Sequence, residues 1–178
     1  IRDRLLLVDL GFYRFQLFAR VHRNRGFFIS RLKSNANLKI LRLFRRHRGR
    51  AIDVKGEWLR DVLPRLQRRT LDAEVEVRFK RRMYRGRHRW AYTTFRLAGV
   101  LDEETGEYHL YLTNIPSGRL SAEEVATTYR ARWLIELAFT ELKSGYGLIQ
   151  LPGRKKAAVE VFLYASVITV PASRKLLH

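Results

Sequence analysis

Residues 5 to 32 constrain the fold more than any other stretch of this chain. Leu5-Leu6-Leu7-Val8 is a short, unbroken apolar run, the pattern of a strand buried on both faces. It ends at Asp9, with Gly11 close behind. Phe12 to Arg23 then spaces Phe12, Phe15, Phe18 and Val21 for one face of a helix. Gly26 to Leu32 is a second strand. Strand, helix and strand in so short a span predict a βαβ unit with parallel strands.

The loop Lys33-Ser34-Asn35-Ala36-Asn37 leads away from that unit, and residues 38 to about 118 read as a separate β-rich layer. Ala73 to Phe79 alternates with period two, which leaves one face wet. Thr93 to Leu101 and Glu107 to Thr113 flank the turn Asp102 to Gly106 and predict a hairpin. A shorter helix is expected around Glu57 to Gln67, bent at Pro64. Ser117-Gly118 reads as a turn, and Ser121 as the cap of a long helix with Glu123 and Glu124 in its first turn. A final helix is expected from about Lys155 to Val170, stopped by Pro171. The expected organisation is therefore residues 1–37, a β-rich segment over 38–118, and a helical segment over 119–178.

Within the long helix, Tyr129, Arg132, Glu136 and Lys143 stand at relative positions 0, 3, 7 and 14. At about 100° per residue, all four fall within roughly 60° of one face. Ala131, Leu134, Ile135, Ala138, Phe139 and Leu142 occupy the other side as a packing face, while Trp133 stands at the edge of the polar face, where it can pack, the expected role, or stack. One carboxylate among two cations and a phenol suits a metal-assisted phosphodiester site. Alone, Arg132 and Glu136 read equally as an ordinary i,i+4 pair worth a few tenths of a kcal/mol. Asp9 also has two readings. A carboxylate at the end of a parallel strand stands where open α/β sheets place their ligand crevice, and an Asp before Gly11 can simply cap a turn.

A formal net charge of +19, from 36 Lys and Arg against 17 Asp and Glu, points to a polyanionic partner. Nucleic acid leads, because phosphate neutralisation releases counterions and rewards dense Arg, and an anionic membrane surface is the rival. A content of 46% apolar and 12% aromatic residues excludes a disordered chain. With no cysteine there is neither a disulfide framework nor a thiolate metal site. The longest apolar stretch, Ala157 to Ala172, contains Glu160 and Pro171 and is too short to span a bilayer. No signal peptide is recognisable, so a cytoplasmic protein is expected.

The arrangement Tyr-x2-Arg-x3-Glu-x6-Lys, followed by Ser144 to Leu148, resembles the signature of the DDE transposases of the bacterial insertion-sequence family four. Val8-Asp9-Leu10-Gly11-Phe12-Tyr13 resembles the second catalytic Asp region of the same family. Leu32 to Asn35 and Leu110 to Asn114 resemble further family segments, in the expected order. The resemblance implies an α/β fold, a partial ribonuclease H-like core whose βαβ unit and catalytic helix are split by a β-rich insertion. It implies that Asp9 and Glu136 are catalytic carboxylates holding two Mg2+ or Mn2+ ions. It further implies that Tyr129, Arg132 and Lys143 hold phosphates of the transposon end. The first catalytic Asp has no counterpart before Asp9, and Asp3 is too close to serve. The chain thus resembles the carboxyl-terminal part of a transposase, expected to be inactive alone, with an unpaired strand edge that promotes partner capture.

Two basic stretches are candidate DNA surfaces. Arg78 to Tyr92 carries Arg78, Lys80, Arg81, Arg82, Arg85, Arg87 and Arg89 with Tyr84, Trp90 and Tyr92 interleaved. Arg42, Arg45, Arg46, His47, Arg48 and Arg50 form the other. The expected partner is double-stranded DNA at transposon ends, in a prokaryotic cytoplasm near the nucleoid. A dimer in a synaptic complex, or pairing with the missing amino-terminal part, is the expected assembly. The alternative is a non-catalytic DNA-binding or regulatory remnant. A basic RNA-associated module explains the charge but not Asp9 or the helix stripe.

Overall fold

The computed structural model describes residues 2–47, 50–66, 68–81, 89–134, 136, 137 and 140. The chain divides into two compact units, Ile1–Arg130 and Ala131–His178, each described by itself. The first opens with β1 (Leu5–Val8), a 3-10 turn (Leu10–Phe12), α1 (Phe15–Arg23) and β2 (Phe27–Arg31). β1 and β2 pair in parallel, from Leu5 opposite Phe27 to Val8 opposite Ser30, as the strand–helix–strand pattern predicts. The α-helix begins three residues later than expected because Asp9 caps a separate 3-10 turn with its side chain.

Next come β3 (Lys39–Leu43) and the short pair β4 (Arg46–His47) and β5 (Arg50–Ala51). α2 (Leu59–Val62) runs into a 3-10 turn (Leu63–Arg65) that holds Pro64, where a missing N–H is tolerated. β6 (Thr70–Lys80), β7 (Trp90–Leu101) and β8 (Tyr108–Thr113) precede α3 (Ala122–Arg130). The β7–β8 turn closes through Gly106, whose φ of +70° suits a residue without Cβ. Gly99 allows close packing, since a Cβ there would lie 2.9 Å from Leu110 Cδ2.

The order of the main sheet is β1-β2-β8-β7-β6-β3, with every neighbouring pair except β1–β2 antiparallel. The separate β-rich layer expected over 38–118 is therefore corrected. β8 pairs with β2, from Ile29 opposite Thr113 to Arg31 opposite Tyr111, and extends the sheet begun by the βαβ unit. Two side chains at the end of β8 secure that junction. Thr113 Oγ1 donates to the Phe28 carbonyl at 2.6 Å, and Asn114 Oδ1 accepts from the Phe28 N–H at 2.9 Å. Asn114 Nδ2 also donates to the Gly26 carbonyl at 2.8 Å.

Each face of the sheet has its own cover. On one, Phe18 and Val21 of α1 and Leu59 and Val62 of α2 pack with Phe28, Ile40, Val75, Val77, Phe95 and Leu97. Phe18 stacks on Phe28 at 4.5 Å, and Phe95 meets Phe28 edge-on at 5.0 Å. Burying each such side chain contributes about 1.5–3 kcal/mol. On the other face, Ala122, Val125 and Ala126 of α3 pack against Ile29, Ala98, Tyr111 and Ile115. α3 starts with a reciprocal cap: Glu124 N donates to Ser121 Oγ at 3.1 Å, and Ser121 N to Glu124 Oε2 at 2.7 Å. That bears out Ser121 as the cap.

The continuous helix expected to carry Tyr129 through Lys143 is not observed. α3 ends at Arg130, residues 131 and 132 form a turn, and helical residues resume at Trp133, Leu134, Glu136, Leu137 and Thr140. A single helical wheel therefore does not apply across the turn. Trp133 and Leu134, expected to pack, are 57% and 64% exposed. Lys143 and the helix expected over residues 155–170 lie outside the described residues.

Arg96 of β7 is a buried charge, with its side chain only 4% exposed. Its Nε and Nη2 donate to Asp72 Oδ1 and Oδ2, both at 2.7 Å. Its Nη1 donates to the carbonyls of Ile115 at 3.2 Å and Leu120 at 2.8 Å. Arg96→Leu leaves Asp72 and two loop carbonyls without their donor. We expect it to cost about 3–5 kcal/mol, read as an early unfolding midpoint in urea. Unchanged stability would sink this assignment.

Candidate functional site

Asp9 continues β1 beyond the buried Val8 and is half-buried. Its Oδ1 accepts from the Gly11 N–H at 2.9 Å, so the turn-capping reading is borne out in the geometry. The crevice reading keeps its position too, because Asp9 stands at the carboxyl end of a parallel pair. Tyr129, in the last turn of α3, reaches this point. Its hydroxyl donates to the Val8 carbonyl at 3.3 Å, and its ring lies 5.4 Å from that of Tyr111. Burial raises the Tyr111 pKa, while the charges of Arg31 and Arg130 oppose that rise. The Asp9 segment and Tyr129 are thus brought together by the packing of α3 on the sheet.

In the second unit, Arg132 Nη1 donates to Glu136 Oε1 at 2.6 Å, the i,i+4 pair that the spacing allows. Thr140 Oγ1 donates to the Glu136 carbonyl at 2.9 Å. Among the described residues, no three His, Asp or Glu side chains come together as a metal ligand set.

Of the basic stretch, Arg81 is exposed, and its N–H donates to the Arg89 carbonyl at 2.8 Å. Arg82, Arg85 and Arg87 lie outside the described residues. Trp90 opens β7 and is exposed, with the Arg78 guanidinium 3.8 Å and Lys80 Nζ 5.4 Å from its ring centroid. Tyr92, also exposed, faces the same Arg78 at 5.9 Å. Cations and aromatics do share this surface, as the interleaved sequence suggests. In the other basic stretch, Arg42 is paired with Glu74 at 2.9 Å and lies over Phe44 at 5.0 Å. Sequence reasoning missed Arg31. The signal for it is the strand register, in which Arg31 follows Ser30, the partner of Val8.

The structure thus presents an α/β sheet with Asp9 at its parallel carboxyl edge, in a chain whose net charge of +19 suits a polyanionic partner. The family model described as transposase DDE domain matches residues 1–170. The chain belongs to that family. Among curated relatives, a putative transposase InsL for insertion sequence element IS186A of Escherichia coli (strain K12) is 38% identical over 65 residues. The transposase for insertion sequence element IS421 of Escherichia coli matches to the same extent. Each match covers 36% of this chain and 18% of the relative, less than a fifth of the relative's own length. No helix among the described residues is long and apolar enough to cross a membrane.

Just beyond the Asp9 turn, Tyr13 packs edge-on against Phe15 and Phe18. Its hydroxyl is buried and has no hydrogen-bond partner among the described residues. Burial pushes its pKa well above the ordinary phenol value. The folded state therefore holds this proton more tightly than the unfolded chain does. Stability from this group is complete below the unfolded value of about 10 and is lost as pH rises above it. Tyr13→Phe is expected to remove that alkaline loss. At neutral pH it should melt no lower than the parent, since an unsatisfied buried polar group costs about 1–3 kcal/mol. A clear drop in melting temperature at neutral pH would show that the hydroxyl has a stabilising partner.

Proposed function

We propose that this chain acts in metal-dependent cleavage and strand transfer of double-stranded DNA at transposon ends. The observation that supports the reading most directly is Asp9, set at the carboxyl end of the parallel β1–β2 pair in a chain of the transposase DDE domain family. In this reading residues 1–37 and 119–178 belong to a ribonuclease H-like core, and residues 38–118 are a β-rich insertion whose strands continue the sheet of that core instead of forming a layer of their own. The protein works in a prokaryotic cytoplasm near the nucleoid, as a dimer in a synaptic complex or with a further part of a transposase.

Asp9 and Glu136 are the proposed metal ligands. Carboxylate oxygens are hard donors and fit Mg2+ or Mn2+ by their chemistry. When bound, such ions activate an attacking water or 3′-hydroxyl and stabilise the leaving oxygen of an in-line displacement. The chain's own residues bind and orient the DNA around that chemistry. Arg132 and Lys143 neutralise phosphates, Arg132 in a bidentate manner that a guanidinium suits. Arg132 holds the Glu136 carboxylate in an ion pair, and a phosphate taken by Arg132 would leave that carboxylate available to a metal. Tyr129 orders the backbone before Asp9 through the Val8 carbonyl and presents its ring to the same site. Arg81, Arg82, Arg85, Arg87 and Trp90 supply a further DNA surface, cations for phosphate and an aromatic for stacking. Two carboxylates are one short of the set that bridges two ions, so the chain alone is expected to bind DNA without cutting it.

Binding to duplex DNA is expected to weaken by orders of magnitude from low to moderate salt if about six or more phosphates are neutralised. Replacing Arg81, Arg82, Arg85 and Arg87 together with Ala should flatten the slope of log affinity against log salt. An unchanged slope would show that this run is only a solvated surface. In an assembly that supplies the remaining carboxylate, Glu136→Gln should abolish Mn2+-dependent nicking while leaving DNA binding intact or slightly tighter. Undiminished nicking by that variant would remove Glu136 from the metal site. Binding without nicking even in such an assembly favours the non-catalytic alternative.

A further inference from the structure

β1 and β2 end in step. The last register pair is Val8 opposite Ser30, so Asp9 and Arg31 are the next residues on two parallel strands. Neighbouring strands run about 4.8 Å apart. Two residues back on each strand, Leu7 and Ile29 pack in the cluster beneath α3, so alternation directs Asp9 and Arg31 to that face.

The guanidinium of Arg31 is held. One Nη2 is 3.2 Å from His109 Nδ1, and His109 Nε2 is 3.3 Å from Asp102 Oδ2. A guanidinium can only donate, so His109 Nδ1 must accept, and Nε2 then carries the proton that points at Asp102. Asp102 is itself fixed by the N–H groups of Glu104 at 3.0 Å and Thr105 at 3.4 Å. The backbone bond from Glu104 does most to hold its carboxyl below the usual range. The chain Asp102–His109–Arg31 thus runs from the β7–β8 turn to the carboxyl end of β2.

Arg31 closes β2 and is exposed. A guanidinium carries five N–H donors, and the His109 bond uses one of them. A phosphate can be taken by the rest in a fork geometry. We propose that Arg31 anchors a backbone phosphate of the DNA strand that passes Asp9, and that His109, backed by Asp102, positions its guanidinium for that contact. The proposal rests on the reading of this chain as a DNA-processing transposase domain.

The test uses the full chain and a fluorescein-labelled short duplex, with binding followed by anisotropy across a salt titration and folding by thermal melting. Arg31→Ala should lower affinity about threefold to tenfold at moderate salt and reduce the salt slope by about one. Should that variant melt early, Arg31→Gln carries the same expectation for the slope while keeping a donor toward His109. His109→Phe should give a smaller loss that vanishes on the Arg31→Ala background, the mark of a residue acting through another. His109→Asn, whose amide oxygen can stand where Nδ1 accepts, should recover the parent affinity. A parent-like slope for the Arg31 variants, or a His109→Phe loss that persists without Arg31, overturns the proposal while leaving DNA binding by the chain in place. A chain that binds no duplex at low salt overturns both the proposal and the reading beneath it.

Discussion

The buried Arg96–Asp72 pair ties the parts of the first unit together. It joins β6 to β7 on the face that α3 covers and reaches both ends of the loop before α3 through the Ile115 and Leu120 carbonyls. Removing two charges from water is expensive, and the attraction between them compensates only when the geometry is good and the remaining donors are used. Both conditions hold, since the fork is bidentate and Nη1 is shared by two carbonyls. The loop is thereby fixed one residue before Ser121, where the reciprocal Ser121–Glu124 cap launches α3. The direction of α3 then sets Tyr129 against the Val8 carbonyl, directly beside Asp9. A charge pair on β6 and β7 thus acts at the far edge of the sheet, through one loop and one helix.

The continuity of the sheet is the second requirement. A two-stranded parallel pair with one helix buries too little to stand alone. β8 supplies the missing neighbour for β2, and Thr113 and Asn114 bind it where a backbone ladder would otherwise run out. The Phe18–Phe28–Phe95 stack shows the consequence in packing. α1, β2 and β7 meet in one core, although their residues are far apart in sequence. The carboxyl edge of β1 and β2 is therefore part of the same sheet and core as the antiparallel strands behind it.

Much of this was legible in the sequence where a local pattern decides the outcome. The apolar run at Leu5 to Val8, the spacing of Phe15, Phe18 and Val21, and the alternation before Phe79 each specify an element through its own periodicity. Ser121 was legible because a cap and a Glu three residues on act within one turn. What depends on distant pairing was not. Strand β3 carries a register shift between Ile40 and Arg42 that hides its alternation. The placement of β8 beside β2 rests on Thr113 and Asn114 reaching residues more than eighty positions away. The turn at residues 131 and 132 has no Gly or Pro to announce it. For the candidate site, Asp9 was legible from its position at a strand end. Arg31 needed the register.

The charge balance acquires a structural meaning once the acids are placed. Asp72 is bound to Arg96, Glu74 to Arg42, Glu57 to Arg65, Glu103 to Arg69, and Asp102 to His109. Glu124 is taken by the helix cap. Each of these acids offsets one cation or cap, and the formal excess of +19 remains as a positive field at the surface. Such a field favours approach of a polyanion from any direction but does not choose a site on it. Selection then falls to the few cations with a fixed orientation. A guanidinium ordered beside Asp9 differs in this respect from an arginine on the strand ends near Trp90, which contributes affinity without fixing where a phosphodiester comes to rest. On the proposed reading, the general charge brings DNA to the protein, and the carboxyl edge of the sheet decides where on the protein the strand is held.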